Sequence, residues 1–184
     1  MNRLYDYLPS GSGYKVRLLL AQLNIACARV ELSITKGKTC TPEFVAKKPN
    51  GRILVLEIGD DACLAESNAI LAYLAEPTPF LPADRLDRAR VMQWLFFEQY
   101  SHEPHIAVAR FWLTHGEPSE EQRRRLSDRH TSGYAALDVM EAHLAECSFL
   151  VADEGGFDLA PYGHAHGWFE RVASEPEHIP ITQG

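Results

Sequence analysis

The amino-acid sequence predicts an α/β domain over residues 1–76, followed by an all-helical domain over 86–184. Three observations carry this. Up to residue 75, short runs with apolar residues at period two are interleaved with stretches at helical spacing. Residues 76–85 then hold three prolines in ten positions, the composition of a linker, so 77–85 is set between the domains. Beyond it the apolar residues recur at helical spacing alone.

Each element of the first part has its own signal. Residues 3–7 (Arg-Leu-Tyr-Asp-Tyr) alternate as a half-buried strand does. Pro9, Ser10, Gly11, Ser12 and Gly13 are dense turn residues. Val16, Leu19, Leu20 and Leu23 mark an amphipathic helix over 13–24, and a second strand fits 28–34. Thr41-Pro42-Glu43 opens a short helix, with threonine as the cap and proline at the first helical position. Pro49-Asn50-Gly51 closes it, and 53–58 forms a third strand. Gly59, Asp60 and Asp61 turn the chain into a fourth strand at 62–65, a hairpin. Ile70, Leu71 and Leu74 give the helix after Glu66 its buried face. The order β-α-β, short helix, β-β-α is thioredoxin-like.

The second part is helical throughout. Residues 86–115 carry Val91, Trp94, Leu95, Phe97, Phe111 and Trp112, with Pro104 expected to kink or break the run. Ser119 and Gln122 form a capping box for a helix reaching about residue 146, whose core stripe is Leu126, Leu137, Met140 and Leu144. A last helix near 165–174 presents Trp168 and Val172.

Composition excludes several functions. The 184 residues are 46% apolar and 23% charged, ordinary for a soluble globular protein. A net charge of -7 argues against a nucleic-acid partner, which needs a basic face. No run of about eighteen apolar residues offers a membrane span, and MNRLYDYLPS is no secretory leader, so the cytoplasm is expected. Cys27, Cys40, Cys63 and Cys147 form no C-x-x-C pair, so neither a zinc site nor a protein dithiol is expected. They read as small apolar residues kept reduced. His102-Glu103-Pro104-His105 is not the helical H-E-x-x-H zinc pattern, and His164-x-His166 reads as surface. No metal is expected.

Two strings carry a resemblance: Pro49-Asn50-Gly51-Arg52-Ile53-Leu54-Val55-Leu56, and Glu66-Ser67-Asn68-Ala69-Ile70. They resemble N-P-N-G-x-[IV]-P-V-L and E-S-x-A-I of the glutathione-binding half of the glutathione transferases. The run R-x-R-V-x-Q-W-x-x-F-E-Q-Y at 88–100 and the string G-G-F-D-L-A-P-Y at 155–162 extend the likeness over nearly the whole chain. It is nearest to bacterial members with a serine or threonine in the first loop, the nu-class and disulfide-bond-reductase-like kind.

The resemblance implies a glutathione site and a thiolate chemistry. Ser10 would hydrogen-bond the glutathione sulfur and favour its thiolate, with Ser12 a second contact to the thiol. The residues alone read more simply, with Ser10 a turn residue or Ser12 a helix cap. Ser67 would hold the γ-glutamyl carboxylate at a helix N-terminus, where free N–H groups suit an anion, and Glu66 would pair with the ammonium group. The plain alternative is an ordinary cap with an acid that suits the helix dipole. Backbone groups of Ile53 would hold the cysteinyl part, and Lys38 and Thr39 would meet the glycyl end. Arg110 and Trp112 either border a substrate cleft or pack helices. Glutathione is thus implied as cosubstrate, a small electrophile or mixed disulfide as second substrate, and a homodimer as assembly.

Two departures bear on this. Leu54 stands where the family has proline, and a cis bond costs about 0.5–1 kcal/mol before proline but about 2.5–4 before other residues. A trans Ile53–Leu54 bond is therefore expected. After Phe149–Glu154, family members have a core helix, whereas Glu154 here runs directly into Gly155-Gly156-Phe157-Asp158. A helix of about fifteen to twenty residues is expected to be missing, which truncates the all-helical domain. The functional expectation is a glutathione transferase or glutathione-dependent disulfide reductase. Its alternative is a degenerate, non-catalytic scaffold of the same fold that associates with protein.

Overall fold

In the computed structural model, residues 1–59, 62–147 and 162–183 are described. The chain forms two units, one of Met1–Asp84 with Pro176–Gly184 and one of Arg85–Glu175. The first is a thioredoxin-like α/β unit and the second is helical.

The first unit is built on a four-stranded sheet of order β2-β1-β3-β4, where β1 is Asn2–Asp6, β2 Cys27–Glu31, β3 Val55–Ile58 and β4 Ala62–Ala65. β1 runs parallel to β2, with Asp6 opposite Glu31, and antiparallel to β3, with Tyr5 opposite Val55. β3 and β4 are antiparallel, with Val55 opposite Ala65. The helices are α1 (Gly11–Gln22), α2 (Pro42–Lys47) and α3 (Ser67–Ala75), with two 3-10 turns at Ile34–Lys36 and Lys38–Cys40. Leu4, Val16, Leu20, Phe44, Leu54, Val55, Leu56, Ile70 and Leu74 are buried, and each side chain of this size stabilises by about 1.5–3 kcal/mol.

Several boundaries move for identifiable reasons. α1 begins at Gly11 rather than residue 13, because Ser10 rather than Ser12 caps it: the Gly13 N–H donates to Ser10 Oγ at 3.2 Å. β2 stops at Glu31, and the chain turns into the first 3-10 segment at Ile34, so the expected strand end at 34 lies three residues too far along. Thr41 caps α2 with Pro42 at its first position, as the sequence predicts. Gly13 has a second role. A Cβ there would lie 1.8 Å from Asp6 Oδ1, so only glycine lets α1 pass over the end of β1.

The helical unit consists of α4 (Arg85–Phe97), a π-helical segment Glu98–Ala107, α5 (Val108–Thr114), α6 (Glu120–Leu144) and α7 (Gly163–Ala173). Pro104 does not break the helix. The wider π turn absorbs the residue that cannot donate a backbone hydrogen bond, and the Pro104 carbonyl accepts from Arg129 at 2.9 Å. The capping box is complete, with Ser119 N–H on Gln122 Oε1 at 2.7 Å and Gln122 N–H on Ser119 Oγ at 3.2 Å. Ile106, Leu137, Met140, Leu144, Tyr162, Ala165 and Trp168 form its core, flanked by Trp94, Phe97 and Val172. Glu141 of α6 caps α7, accepting from the N–H groups of His164 at 3.0 Å and Ala165 at 2.9 Å. Burial pushes its carboxyl up, but these donors and the His164 ring outweigh it and hold the group below its ordinary value. The expected loss of a helix falls at Glu154–Gly155, outside the described residues, as does most of the string at 155–162.

Candidate functional site

One end of the sheet gathers the residues that the sequence singles out. β1 ends there and leads through Tyr7–Pro9 to Ser10 at the N-terminus of α1. β3 begins there, so Ile53 and Leu54 lie just beyond its pairing with Tyr5. β4 ends there, since Ala65 faces Val55, and Glu66 and Ser67 follow into α3. Two helix N-termini therefore open at the same end, and neither has an acidic side chain within its first turn. Lys15 of α1 donates to Asn68 Oδ1 of α3 at 2.7 Å, which ties the two helix starts together.

Ser10 is half-buried. Its oxygen accepts from the Gly13 N–H, and its hydroxyl proton can still be donated. Ser12 lies half-buried in the first turn of α1. Ser67 is buried at the first position of α3. The Glu66 side chain does not cap that helix: Glu66 adopts φ 69°, and its carboxylate pairs with Lys48 Nζ at 3.0 Å. Thr39 is buried, and its carbonyl oxygen would lie 3.2 Å from a Cβ on Gly51, whose φ is 61°. That contact packs the 38–40 turn against the 49–52 turn. Lys38 is exposed beside it.

The Ile53–Leu54 bond is cis, against the trans expectation. That expectation rests on the preference of an isolated bond. It takes no account of Leu54 being 2% exposed in the core, or of Val55 pairing on both sides immediately after it.

The charges around this end are held by partners. Asp6 and Arg17 form a buried ion pair; burial pushes the Asp6 carboxyl up, and Arg17 opposes that shift. Glu57, on β3, accepts from Lys47, Arg3 and Tyr5, which hold its carboxyl down at about 2. Neither Lys48, which pairs with Glu66, nor Arg17, which pairs with Asp6, stands out in the sequence. Lys48 sits beside Lys47 in what reads as a solvated pair, and nothing in the spacing tells the buried lysine from its neighbour.

Other candidates lie apart. His102 is buried in the π segment, and His105 is held below the ordinary imidazole value by burial and by Arg129. Among the described residues no group of side chains fits a metal ion, and no helix is long and apolar enough to cross a membrane. His164 is exposed, in keeping with its surface reading, and pairs with Glu141 at 2.7 Å. Trp112 lies beneath the guanidinium groups of Arg125 and Arg129, a helix-packing role. Cys40, Cys63 and Cys147 are exposed rather than packed as small apolar residues, because they fall in a turn, on an edge strand and after the end of α6.

Comparison with known proteins agrees with this architecture. Residues 2–76 match the glutathione S-transferase N-terminal domain. The crystal structure of a glutathione S-transferase from Pseudomonas fluorescens Pf-5 superposes with a TM-score of 0.94 at 42% identity, covering 99% of both chains. That of a possible glutathione S-transferase from Rhodopseudomonas palustris gives 0.93 at 38% identity, covering all of this chain and 91% of the other. The glutathione S-transferase-like protein LUC7 of a Fusarium species is 33% identical over 160 residues, 83% of this chain and 70% of its own length. Sheet order, the paired helix starts and these likenesses converge, and the chain belongs to the glutathione S-transferase family.

Proposed function

We propose that the protein binds glutathione at this end of the sheet and activates its thiol for attack on an electrophile or a mixed disulfide. One observation carries the reading: Ser10 and Ser67 stand at two adjacent helix N-termini, with the Glu66 carboxylate fixed beside the second. In this reading the γ-glutamyl carboxylate lies on Ser67 and the first N–H groups of α3, where the helix dipole favours negative charge. The ammonium group meets Glu66, already oriented by Lys48. Backbone N–H and C=O of Ile53 take the cysteinyl part, and Thr39 and Lys38 the glycyl carboxylate.

The sulfur then lies toward the start of α1. Ser10 donates its hydroxyl proton to it while accepting from Gly13, and Ser12 offers a second contact. A free thiol has a pKa near 8.5, and a hydroxyl donor with a helix N-terminus lowers it, so more thiolate is present at neutral pH. With an electrophile, the thiolate lone pair forms the new S–C bond and the leaving group departs with its bonding pair. With a mixed disulfide, it forms a new S–S bond and expels the other sulfur as thiolate, which takes up a proton. No protein cysteine takes part in either, in keeping with the lack of a dithiol. The cytoplasm, where glutathione is reduced, is the proposed setting.

We further propose a homodimer. Leu86, Ala89, Gln93, Phe96 and Tyr100 recur three and four apart along α4 and the π segment. Leu86, Phe96 and Tyr100 are 60%, 72% and 85% exposed, which an isolated monomer rarely leaves so.

The test is calorimetric titration with reduced glutathione, on the parent and on a Glu66→Gln, Ser67→Ala double variant. Binding by the parent that is lost in the variant is the expected result. A folded parent that takes no glutathione would reject the enzyme reading and leave a scaffold of the same fold.

A further inference from the structure

Residues 176–183 follow α7 and complete the first unit. Tyr14 Oη donates to the Ile179 carbonyl at 2.9 Å and lies 3.1 Å from His178 Nε2. Three residues along α1, Arg17 Nη2 donates to the Ile181 carbonyl at 2.9 Å and to the Leu8 carbonyl at 3.0 Å. Its Nη1 donates to the Asp6 carboxylate. Arg17 is 5% exposed, so these contacts stand in a dry setting. One nitrogen thus joins the tail of the chain to the loop that ends in Ser10. That loop is also gripped at Leu8, whose N–H reaches a Glu31 carboxylate oxygen at 3.2 Å, and at Ser10, whose N–H donates to the Tyr7 carbonyl at 2.8 Å.

We infer that the segment 176–183 sets the geometry of Ser10, and that Arg17 is the positioning residue through which it acts. This rests on the reading of Ser10 as donor to the glutathione sulfur. A guanidinium is planar and its N–H bonds point in fixed directions. Asp6 fixes one edge and the Ile181 carbonyl fixes one hydrogen of Nη2, so the second hydrogen is aimed at Leu8. Without the tail, the guanidinium keeps Asp6, Leu8 and the Tyr14 ring, 6.0 Å away, but loses the contact that fixes one hydrogen of Nη2. The Leu8–Ser10 turn then loses its fixed register against α1. A donor that has moved by less than an ångström still binds the tripeptide through Ser67 and Glu66, yet it holds the thiolate less well.

The experiment compares the full chain, a chain ending at Glu175, and the full chain with Tyr14→Phe, which loosens the tail but keeps the ring beneath the Arg17 guanidinium. The ultraviolet absorbance of the bound glutathione thiolate is titrated with pH, and kcat and KM for glutathione are measured on an electrophile. In the shortened chain the thiolate pKa is expected to rise by about one unit and kcat at neutral pH to fall about tenfold, with KM within about threefold. Added peptide of residues 176–183 restores both, and Tyr14→Phe shifts both in the same direction by less. An unchanged thiolate pKa in the folded variants, or a rise in KM with kcat intact, would overturn the inference. Should the shortened chain not fold, Tyr14→Phe decides. A full-length protein whose bound thiolate does not respond to Ser10→Ala would instead reject the role of Ser10, and the inference with it.

Discussion

Lys48 Nζ lies 3.0 Å from Glu66 Oε1, and the two ends of this pair live in different media: the lysine side chain is 6% exposed and the glutamate 63%. The lysine is anchored in the fold, so its charge aims a carboxylate that otherwise stands in solvent. Glu66 also adopts φ 69°, which turns its side chain away from the cap position it would hold at the start of an ordinary helix.

Glu66→Gln should cost both stability and binding. The buried Lys48 ammonium loses its counter-charge, so unfolding free energy should fall by more than the roughly 1 kcal/mol of an exposed pair. Glutathione affinity should fall at least about tenfold, because the ligand ammonium loses its counter-charge. Lys48→Met should also weaken binding while leaving stability close to the parent, since an apolar side chain of similar length replaces a buried ammonium. Calorimetric titration and thermal melts measure the two quantities. Equal affinity in all three proteins would remove Glu66 from the site.

Ser10 caps α1, and the proposed function gives it a second role as hydroxyl donor, which one substitution conflates and two separate. Ser10→Ala removes the α1 cap as well as the hydroxyl donor, and should cost about 1 kcal/mol of stability along with most of the thiolate. Ser10→Thr keeps both functions and should keep both properties. Ser12→Ala, which removes no cap, should leave the melting temperature unchanged. A Ser10→Thr variant as inactive as Ser10→Ala would mean that the hydroxyl is not what matters.

The sheet, α2, α3 and the α6 capping box were legible because each rests on local chemistry: alternation, Pro42 after Thr41, Ser119 with Gln122. What escaped depends on contacts distant in sequence. The Ile53–Leu54 bond is cis against the isolated-bond preference, and Leu54 is buried among partners that the local string does not name. Arg17 reads as one polar residue on an amphipathic helix, and only the fold brings Asp6 beneath it and Ile181 beside it. Pro104 reads as a break, since the i to i−4 rule alone offers no other outcome, and the π turn becomes visible only with Arg129 on its carbonyl. For the candidate site, Glu66 and Ser67 stand out in the sequence as a motif, whereas Lys48 does not separate from Lys47.

Glu57 should shape the acid limb of stability. Lys47 first, then Arg3 and Tyr5, hold its folded pKa near 2, below the ordinary value of 4.5. A carboxyl depressed in the folded state contributes stability above its unfolded pKa and loses it as pH falls through the folded one. Melting temperature should thus decline between about pH 5 and pH 2, and Glu57→Gln should flatten that decline while lowering the neutral-pH plateau. Melts across this range decide it. A parallel pair of curves would show that other carboxylates set the acid limb.

The exposed seam on α4 gives the last test. If two copies pair antiparallel with Gln93 at the twofold, Arg88 of one faces Glu98 of the other. The basic start of α4, with Arg85, Arg88 and Arg90, then meets the acidic stretch of Glu98 and Glu103. Phe96 and Tyr100 each bring about 150–250 Å² of side-chain surface to such a contact. Substituting both with arginine puts like charges against the basic start of the partner's α4, with Arg85, Arg88 and Arg90, and removes the apolar area that holds the copies together. The double variant should run as a monomer in light scattering while its circular dichroism stays that of the parent, because neither side chain lies in the core of the helical unit. A variant that stays dimeric would move the interface elsewhere, and a parent that is monomeric at micromolar concentration would end the dimer proposal.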